Sequence, residues 1–453
     1  MPIFQGCGLY NGRFVRGSGY IADDLTEHAM GFIEQNKARP FFCYLPFNTP
    51  HSLFCVPDEY WNRFKDKPLA MHATDAAKEE LNVTRCALAM CENIDWNVGR
   101  VLKKLDELKL SDNTIVIYFS DNGSNGHRWN GGMKGIKGST DEGGVRAPFF
   151  IRWPAKIKPN KTVGEISSAI DLLPTLAKLA DVSLAEAKPL DGKDISPLLL
   201  GSPGHWPDRM LFTHQAGKVS VRTQQYRLAD NGTLYDMISD PDQKTNIAPQ
   251  KPDIAKRLSQ SAAAWRQEVL PAKSDDERPY PVGFAEFPMT PLPARDGVPH
   301  GHVRRSSRVP NSSYFVNWTS TEDPMTWDIG VQTAGEYDVS IFYTCPEGDT
   351  GSTIRLEFKG SGIEGKISRS WDPPLIENQD RVPRQAESYH KEFQPLKPGV
   401  MRLEKGRGLF TLHAVDVVGK QVADIQLVTL TLKYERQKLY FILLPTNSNA
   451  TAL

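Results

Sequence analysis

Residues 114–148 read TIVIYFSDNGSNGHRWNGGMKGIKGSTDEGGVRAP. The run Thr114–Ser120 is apolar and rich in β-branched and aromatic residues, the composition of a buried strand. It stops at Asp121-Asn122-Gly123, an oxygen-rich turn sequence. A glycine-rich loop follows, carrying Lys134 and Lys137, and then a tight turn at Gly143-Gly144. An apolar strand that ends in a polar corner is how an open α/β sheet builds a ligand site at the carboxyl ends of its strands.

Outward from this stretch, helix and strand patterns alternate. Residues 24–36 place Leu25, Ala29, Phe32 and Ile33 on one helical stripe, and Arg39-Pro40 closes it. FFCYLPF (41–47) reads as a short strand and NTPHS (48–52) as a turn. Residues 73–110 read as a long helix, possibly interrupted, with Ile94, Val98, Val101, Leu102, Leu105 and Leu108 at helical spacing. FFIRWP (149–154) is another strand, and Asp171 is placed to cap a helix over DLLPTLAKLA. The alternation predicts an α/β fold with a mostly parallel sheet flanked by helices. This part, 1–204, forms the first domain.

The texture then changes. MLFTHQ, KVSVRT, QYRLAD and GTLYDM predict a small antiparallel sheet, closed by a helix near 253–269, so 205–272 is read as a subdomain. Residues 273–300 are rich in proline and charge and read as a linker. Short strands without helical periodicity fill 301–436, which predicts an all-β sandwich. Its Trp318, Trp327, Trp371, Tyr314 and Tyr343 are either sugar-stacking residues or core. Residues 437–453 form a tail for which the sequence offers no account.

Bulk properties narrow the function. The 453 residues carry 54 basic and 54 acidic side chains, so the formal net charge is zero. That excludes a strongly basic nucleic-acid binder and a polybasic membrane-surface protein. No apolar run reaches the roughly 18–20 residues of a membrane-spanning helix. The six cysteines, Cys7, Cys43, Cys55, Cys86, Cys91 and Cys345, form neither a C-x-x-C pair nor a zinc spacing.

Six blocks carry a family resemblance. YLPFNTPHSLF (44–54), ENIDWNVGRVLKKLDELKLSDNTIVIYFSDNG (92–123), GGMKGIKGSTDEGGVRAPFFIRWP (131–154), DLLPTLAKLADV (171–182), LDGKDISPLL (190–199) and LYDMISDPDQKTNIA (234–248) resemble successive blocks of a type I sulfatase. The resemblance covers roughly residues 20–270. It implies a calcium-dependent hydrolase of sulfate esters in the alkaline-phosphatase-like superfamily, with a formylglycine nucleophile made from cysteine in a C-x-P-S-R motif. It further implies export beyond the cytoplasm, although MPIFQGCGLYNGRF has no signal-peptide pattern. The implied substrate is a sulfated small molecule or polysaccharide.

Residue by residue, Asp121 and Asn122 match the family's calcium-binding pair, and a carboxylate and a carboxamide are the hard oxygens that calcium takes. His51 matches the histidine that contacts the sulfate and leaving oxygen, where an imidazole can give a proton to the departing alcohol. Lys137 matches the lysine that offsets charge growing on the sulfuryl and leaving oxygens. Lys134, His127 and His214 are weaker candidates for substrate contact, as are Arg128 and Trp129. Leu53 replaces the block's usual proline and Asp141 a common aromatic residue.

The nucleophile is missing. The cysteines sit in CGLYN, CYLPF, CVPDE, CALAM, CENID and CPEGD, none of which is C-x-P-S-R or C-x-A-S-R. The family's early Asp-Asp pair and its G-K-W-H-L-G block are absent too, and Asp23-Asp24 does not replace them. Three readings stay open: a sulfatase whose N-terminal catalytic part lies outside this sequence, a sulfatase-derived glycan-binding protein, and a phosphatase or phosphonate hydrolase of the superfamily. In each, the chain as given is expected not to hydrolyse sulfate esters at a normal rate, and an incomplete sheet is expected to leave apolar edges exposed.

Overall fold

The computed structural model describes residues 7–10, 13–184, 188–201, 204, 206–270, 278–377, 380–384 and 386–433. The tail at 437–453 lies outside them. The chain forms two compact units, one over Gly17–Asp275 and the other over Asp276–Leu453 with the segment Gly6–Arg16. That segment holds the hairpin of β1 (Cys7–Tyr10) and β2 (Arg13–Arg16).

The first unit opens with α1 (Ile21–Gln35), α2 (Asp58–Phe64) and α3 (Leu81–Glu107), and α3 packs against both others. The α1 stripe buries Ala22, Thr26, Ala29 and Ile33, one residue round from the sequence reading, and leaves Phe32 exposed. Asp23 accepts hydrogen bonds from the amides of Asn93 and Asn97, each at 2.8 Å, so its carboxylate braces α1 against α3. The α3 pattern is interrupted at its start, where Ala76–Lys78 forms a separate 3₁₀ turn.

Strand β3 (Val116–Phe119) is followed by α4 (Glu142–Val145) and β4 (Phe149–Arg152). The α/β class stands, but the parallel sheet is corrected. β3 and β4 pair antiparallel, from Val116↔Arg152 to Phe119↔Phe149, and no parallel pair occurs in this unit among the described residues. The cause is the connection. Residues 120–148 fold as a compact loop that returns the chain on itself, whereas a parallel pair needs a crossover along the sheet. FFCYLPF is likewise not a strand. Exposure alternates along 41–47, as in extended backbone, but no partner strand is bonded to it, and Phe42 and Tyr44 are 78% and 73% exposed. Phe150 on β4 is 65% exposed. Sequences of buried-strand type therefore show open aromatic faces.

Next come α5 (Leu172–Leu179) and α6 (Ser196–Leu200). Asp171 stands at the N-cap of α5 as expected, but its side chain makes no cap hydrogen bond there. Its buried carboxylate accepts the backbone N–H of Ser168 and Lys193 at 2.8 Å each and both guanidinium nitrogens of Arg209 at 2.9 Å. Strands β5 (Leu211–Gln215), β6 (Lys218–Arg222), β7 (Tyr226–Leu228) and β8 (Leu234–Asp236) form an antiparallel sheet in sequence order. Helix α7 (Pro252–Val269) covers it, with Leu258 buried among Val221, Leu228 and Leu234.

The second unit holds β9 (Tyr280–Val282), β10 (Met289–Pro293), β11 (Val298–Pro299), β12 (Arg304–Arg305), β13 (Phe315–Val316), β14 (Met325–Val331), β15 (Gly335–Thr344), β16 (Thr353–Phe358), β17 (Ser361–Lys366), β18 (Gln394–Leu403), β19 (Gly406–Ala414) and β20 (Asp424–Leu432). They make two sheets, β12-β13-β20-β15-β18 with β10 beside β20, and β11-β14-β19-β16-β17 with β9 beside β14. Alternate residues of both sheets enter one core, from Trp327, Leu356 and Phe410 on one to Tyr337, Ile341 and Val428 on the other.

One expectation is corrected here, and one open alternative is decided for four residues. Residues 280–299 are not linker: β9, β10 and β11 are strands of these sheets. β10 bonds only β20, an edge position where the missing N–H groups of Pro291 and Pro293 cost least. Trp318, Trp327, Tyr314 and Tyr343 are buried core, with no ring face open to a sugar. Trp371 is partly buried, and its indole N–H donates to the Glu392 carbonyl at 2.8 Å.

Candidate active site

The loop after β3 is built from glycines that let backbone touch backbone. The Gly123 N–H donates to the Gly144 carbonyl at 2.9 Å, and the Gly143 N–H to the Lys134 carbonyl at 2.7 Å. A Cβ on Gly123 would stand 2.0 Å from the Gly143 oxygen, and one on Gly143 would stand 2.4 Å from the Gly135 oxygen. Gly135 and Gly138 take left-handed backbone, with φ of 86° and 87°, where a side chain is strained. The Lys137 N–H donates to the Ser124 carbonyl at 2.8 Å. These bonds seat the lysine loop on the Asp121–Gly123 corner.

The loop is anchored from outside by the β5–β8 sheet. Glu142, buried, lies 2.6 Å from the Arg227 guanidinium and 3.7 Å from that of Arg222. Arg227 also donates to the Thr140 carbonyl at 2.7 Å, and the Gln243 side chain accepts the Glu142 N–H at 2.8 Å. Burial holds the Arg222 guanidinium below its ordinary pKa, against the opposing pull of Glu142.

This anchoring separates the two lysines. Lys134 donates to the Tyr235 hydroxyl at 2.9 Å, lies over that ring, and stands 3.5 Å from Asp141. Burial works to lower its pKa, yet the Tyr235 bond and the Asp141 charge hold it above the ordinary value. Lys134 is thus a fastening of the loop to β8. Lys137 is half-buried, and among the described residues its ammonium makes no hydrogen bond or ion pair. A cation held in position without a partner is available to a ligand's oxyanion.

Asp121 is exposed and Asn122 partly so, at the mouth of the loop. They supply two hard oxygens where calcium takes six to eight. Among the described residues no group of three or more His, Cys, Asp or Glu is placed to hold a metal. The donor set present therefore does not make a calcium site by itself.

His51 is exposed on the 48–52 turn, its Nδ1 2.7 Å from the Ser52 carbonyl. The Ser52 hydroxyl lies 3.2 Å from the same nitrogen, so Nδ1 is engaged by Ser52 in either tautomer, and among the described residues Nε2 makes no hydrogen bond. Among the described residues no hydrogen bond or ion pair joins His51 to Asp121, Asn122 or Lys137. His127 is exposed. His214, at the end of β5, accepts the Gly217 N–H on Nε2 at 3.1 Å, which commits that nitrogen to its own hairpin. Gln243 and Arg227 were not singled out from sequence. Their role comes from partners about a hundred residues away, for which sequence carries no local signal.

Comparison with known proteins places this geometry. Residues 6–182 match the sulfatase family model, and residues 137–268 match the model of the C-terminal part of N-sulphoglucosamine sulphohydrolase. An N-acetylgalactosamine-6-O-sulfatase of Bacteroides thetaiotaomicron is 30% identical over 273 residues, 53% of this chain and 50% of that protein. The steryl-sulfatase of Mus musculus is 34% identical over 204 residues, 43% of this chain and 30% of that protein. The crystal structure of Ps i-CgsB superposes with a TM-score of 0.50 at 26% identity, covering 56% of each chain. The chain belongs to the sulfatase family through its α/β unit. It spans half the length, or less, of these curated relatives.

Proposed function

We propose that the α/β unit is the sulfate-binding part of a sulfuric ester hydrolase that acts on sulfated carbohydrate. The observation that carries this is Lys137, whose ammonium has no partner among the described residues and whose N–H is held by the Ser124 carbonyl, next to the Asp121–Gly123 corner. An ammonium there stabilises negative charge growing on the sulfuryl and leaving oxygens. His51, when protonated on both ring nitrogens, would give its Nε2 proton to the departing alcohol. Asp121 and Asn122 would supply two oxygens to a calcium ion, fewer than that ion takes. Carbohydrate is favoured because a relative is an N-acetylgalactosamine-6-O-sulfatase and Ps i-CgsB has been crystallised with k-i-k-neocarrahexaose.

Turnover is a separate matter. With no cysteine in a formylglycine motif, this chain is expected to bind the ester and release sulfate far more slowly than an intact sulfatase. The test is calorimetric titration of the chain with a sulfated oligosaccharide and with its desulfated counterpart. Binding of the sulfated form alone supports the reading, and equal binding of both overturns it. The alternative in which the C-terminal unit is the glycan binder is not favoured, because four of the five aromatic residues that suggested it are buried and the fifth, Trp371, is partly buried.

A further inference from the structure

The loop between the Asp121–Gly123 corner and Lys134 holds a second cation that the proposed chemistry does not use. Arg128 is partly buried, and among the described residues its one hydrogen bond runs from Nη2 to the Asn125 carbonyl at 2.6 Å. Its Nε is shut off from solvent with no hydrogen-bond partner among the described residues. Among the described residues no carboxylate lies within ion-pair distance of it. Glu79 acts on it only through space, since that carboxylate already accepts from His72, the Ala73 N–H and Thr84. Elsewhere in this unit buried arginines are paired, Arg209 with Asp171 and Arg227 with Glu142.

An unneutralised cation held partly out of water is costly unless something negative arrives. Burial lowers the Arg128 pKa, opposed by the nearby Cys91 thiol and Glu79. Two neighbours point the same way. The Ser124 hydroxyl, whose backbone carbonyl holds the Lys137 loop, is also buried without a partner. Trp129 is 51% exposed beside Arg128, an aromatic face of the kind that stacks on a pyranose ring.

We infer that Arg128 binds a second oxyanion of the substrate, a carboxylate or a further sulfate on the sugar, and so sets specificity for multiply anionic sulfated carbohydrate. This rests on the reading of Lys137 as the group that meets the scissile sulfate. The planar guanidinium suits a two-oxygen contact that an ammonium cannot copy. The inference adds a determinant of which sulfated sugar is chosen, and it leaves the bond-breaking groups unchanged.

The test is titration calorimetry on the full chain with three disaccharide probes. One carries a single 6-sulfate beside a neutral sugar, the second a further sulfate, and the third a uronate. Arg128→Ala is expected to leave the monosulfated probe's Kd within about twofold and to weaken one dianionic probe by ~10–100-fold. A loss on the disulfated probe assigns the contact to sulfate; a loss on the uronate probe assigns it to carboxylate. Arg128→Lys keeps the charge and the fold but not the fork, and is expected to restore only part of the loss. Unchanged melting of both variants keeps the comparison to binding. An equal loss on all three probes, or none on any, overturns the assignment and leaves the Lys137 reading standing. If no probe binds the unsubstituted chain, the sulfated-carbohydrate reading falls and this inference falls with it.

Discussion

Gly123→Ala perturbs the junction on which the site depends. The added Cβ would stand 2.0 Å from the Gly143 oxygen, 2.8 Å from the Gly143 carbon and 3.1 Å from the Gly144 carbon. All three are backbone atoms, so no flexible side chain can move aside. Relief requires the 141–144 turn to shift, and that turn is pinned from the other side by Arg227 and Gln243. Overpacking of this kind costs about 1–3 kcal/mol. Loss of the Gly123–Gly144 hydrogen bond adds about 1 kcal/mol. The sum is about 2–4 kcal/mol, a large part of the stability of a typical domain. Urea unfolding followed by far-ultraviolet circular dichroism measures it. Ser124→Ala is the control: its hydroxyl is buried without a partner, so its removal should change stability by less than about 0.5 kcal/mol. If Gly123→Ala unfolds at the same urea concentration as the unsubstituted chain, the close approach does not hold the loop and the reasoning fails.

Other outcomes follow from the same geometry. Glu142→Ala strands the buried Arg227 and should cost about 3–5 kcal/mol in urea unfolding, far more than removal of an exposed acid. Lys134→Ala should lower the melting temperature through the lost Tyr235 and Asp141 contacts while leaving ligand affinity within about threefold. In the second unit, burial and then the Arg384 charge hold the His390 pKa below its ordinary value of 6.5. The unfolded chain therefore takes up the proton first, so that contribution to stability is complete above pH 6.5 and is lost as pH falls through the folded pKa. Thermal melts of the chain between pH 7.5 and 5 should show this fall, reduced in His390→Gln. Phe42→Ser with Phe150→Ser should cut binding of a hydrophobic dye without lowering the melting temperature, because both rings are already exposed.

What the sequence made legible is what local chemistry decides. Asp121-Asn122-Gly123 ends its strand because those residues favour a turn, and the glycines of 131–144 stand where backbone must approach backbone or turn left-handed. What stayed hidden is pairing at long range. FFCYLPF has strand composition, but a strand also needs a partner, and none of the described segments bonds to it. The prolines of 281–293 read as linker, since composition does not tell an edge strand from coil. The resemblance ranks Lys137 above Lys134, but only the fold, by bringing Tyr235 to Lys134, shows what fastens the weaker candidate.

The central claim is that Lys137 meets a sulfate ester. The most direct measurement is titration of the chain with a sulfated oligosaccharide before and after Lys137→Ala, with melting curves on both. The account predicts that affinity falls by at least ~10-fold, since a charge-assisted contact is lost, while the melting temperature stays within about 2 °C because the ammonium has no partner to lose among the described residues. Unchanged affinity, or a large drop in melting temperature, would contradict it.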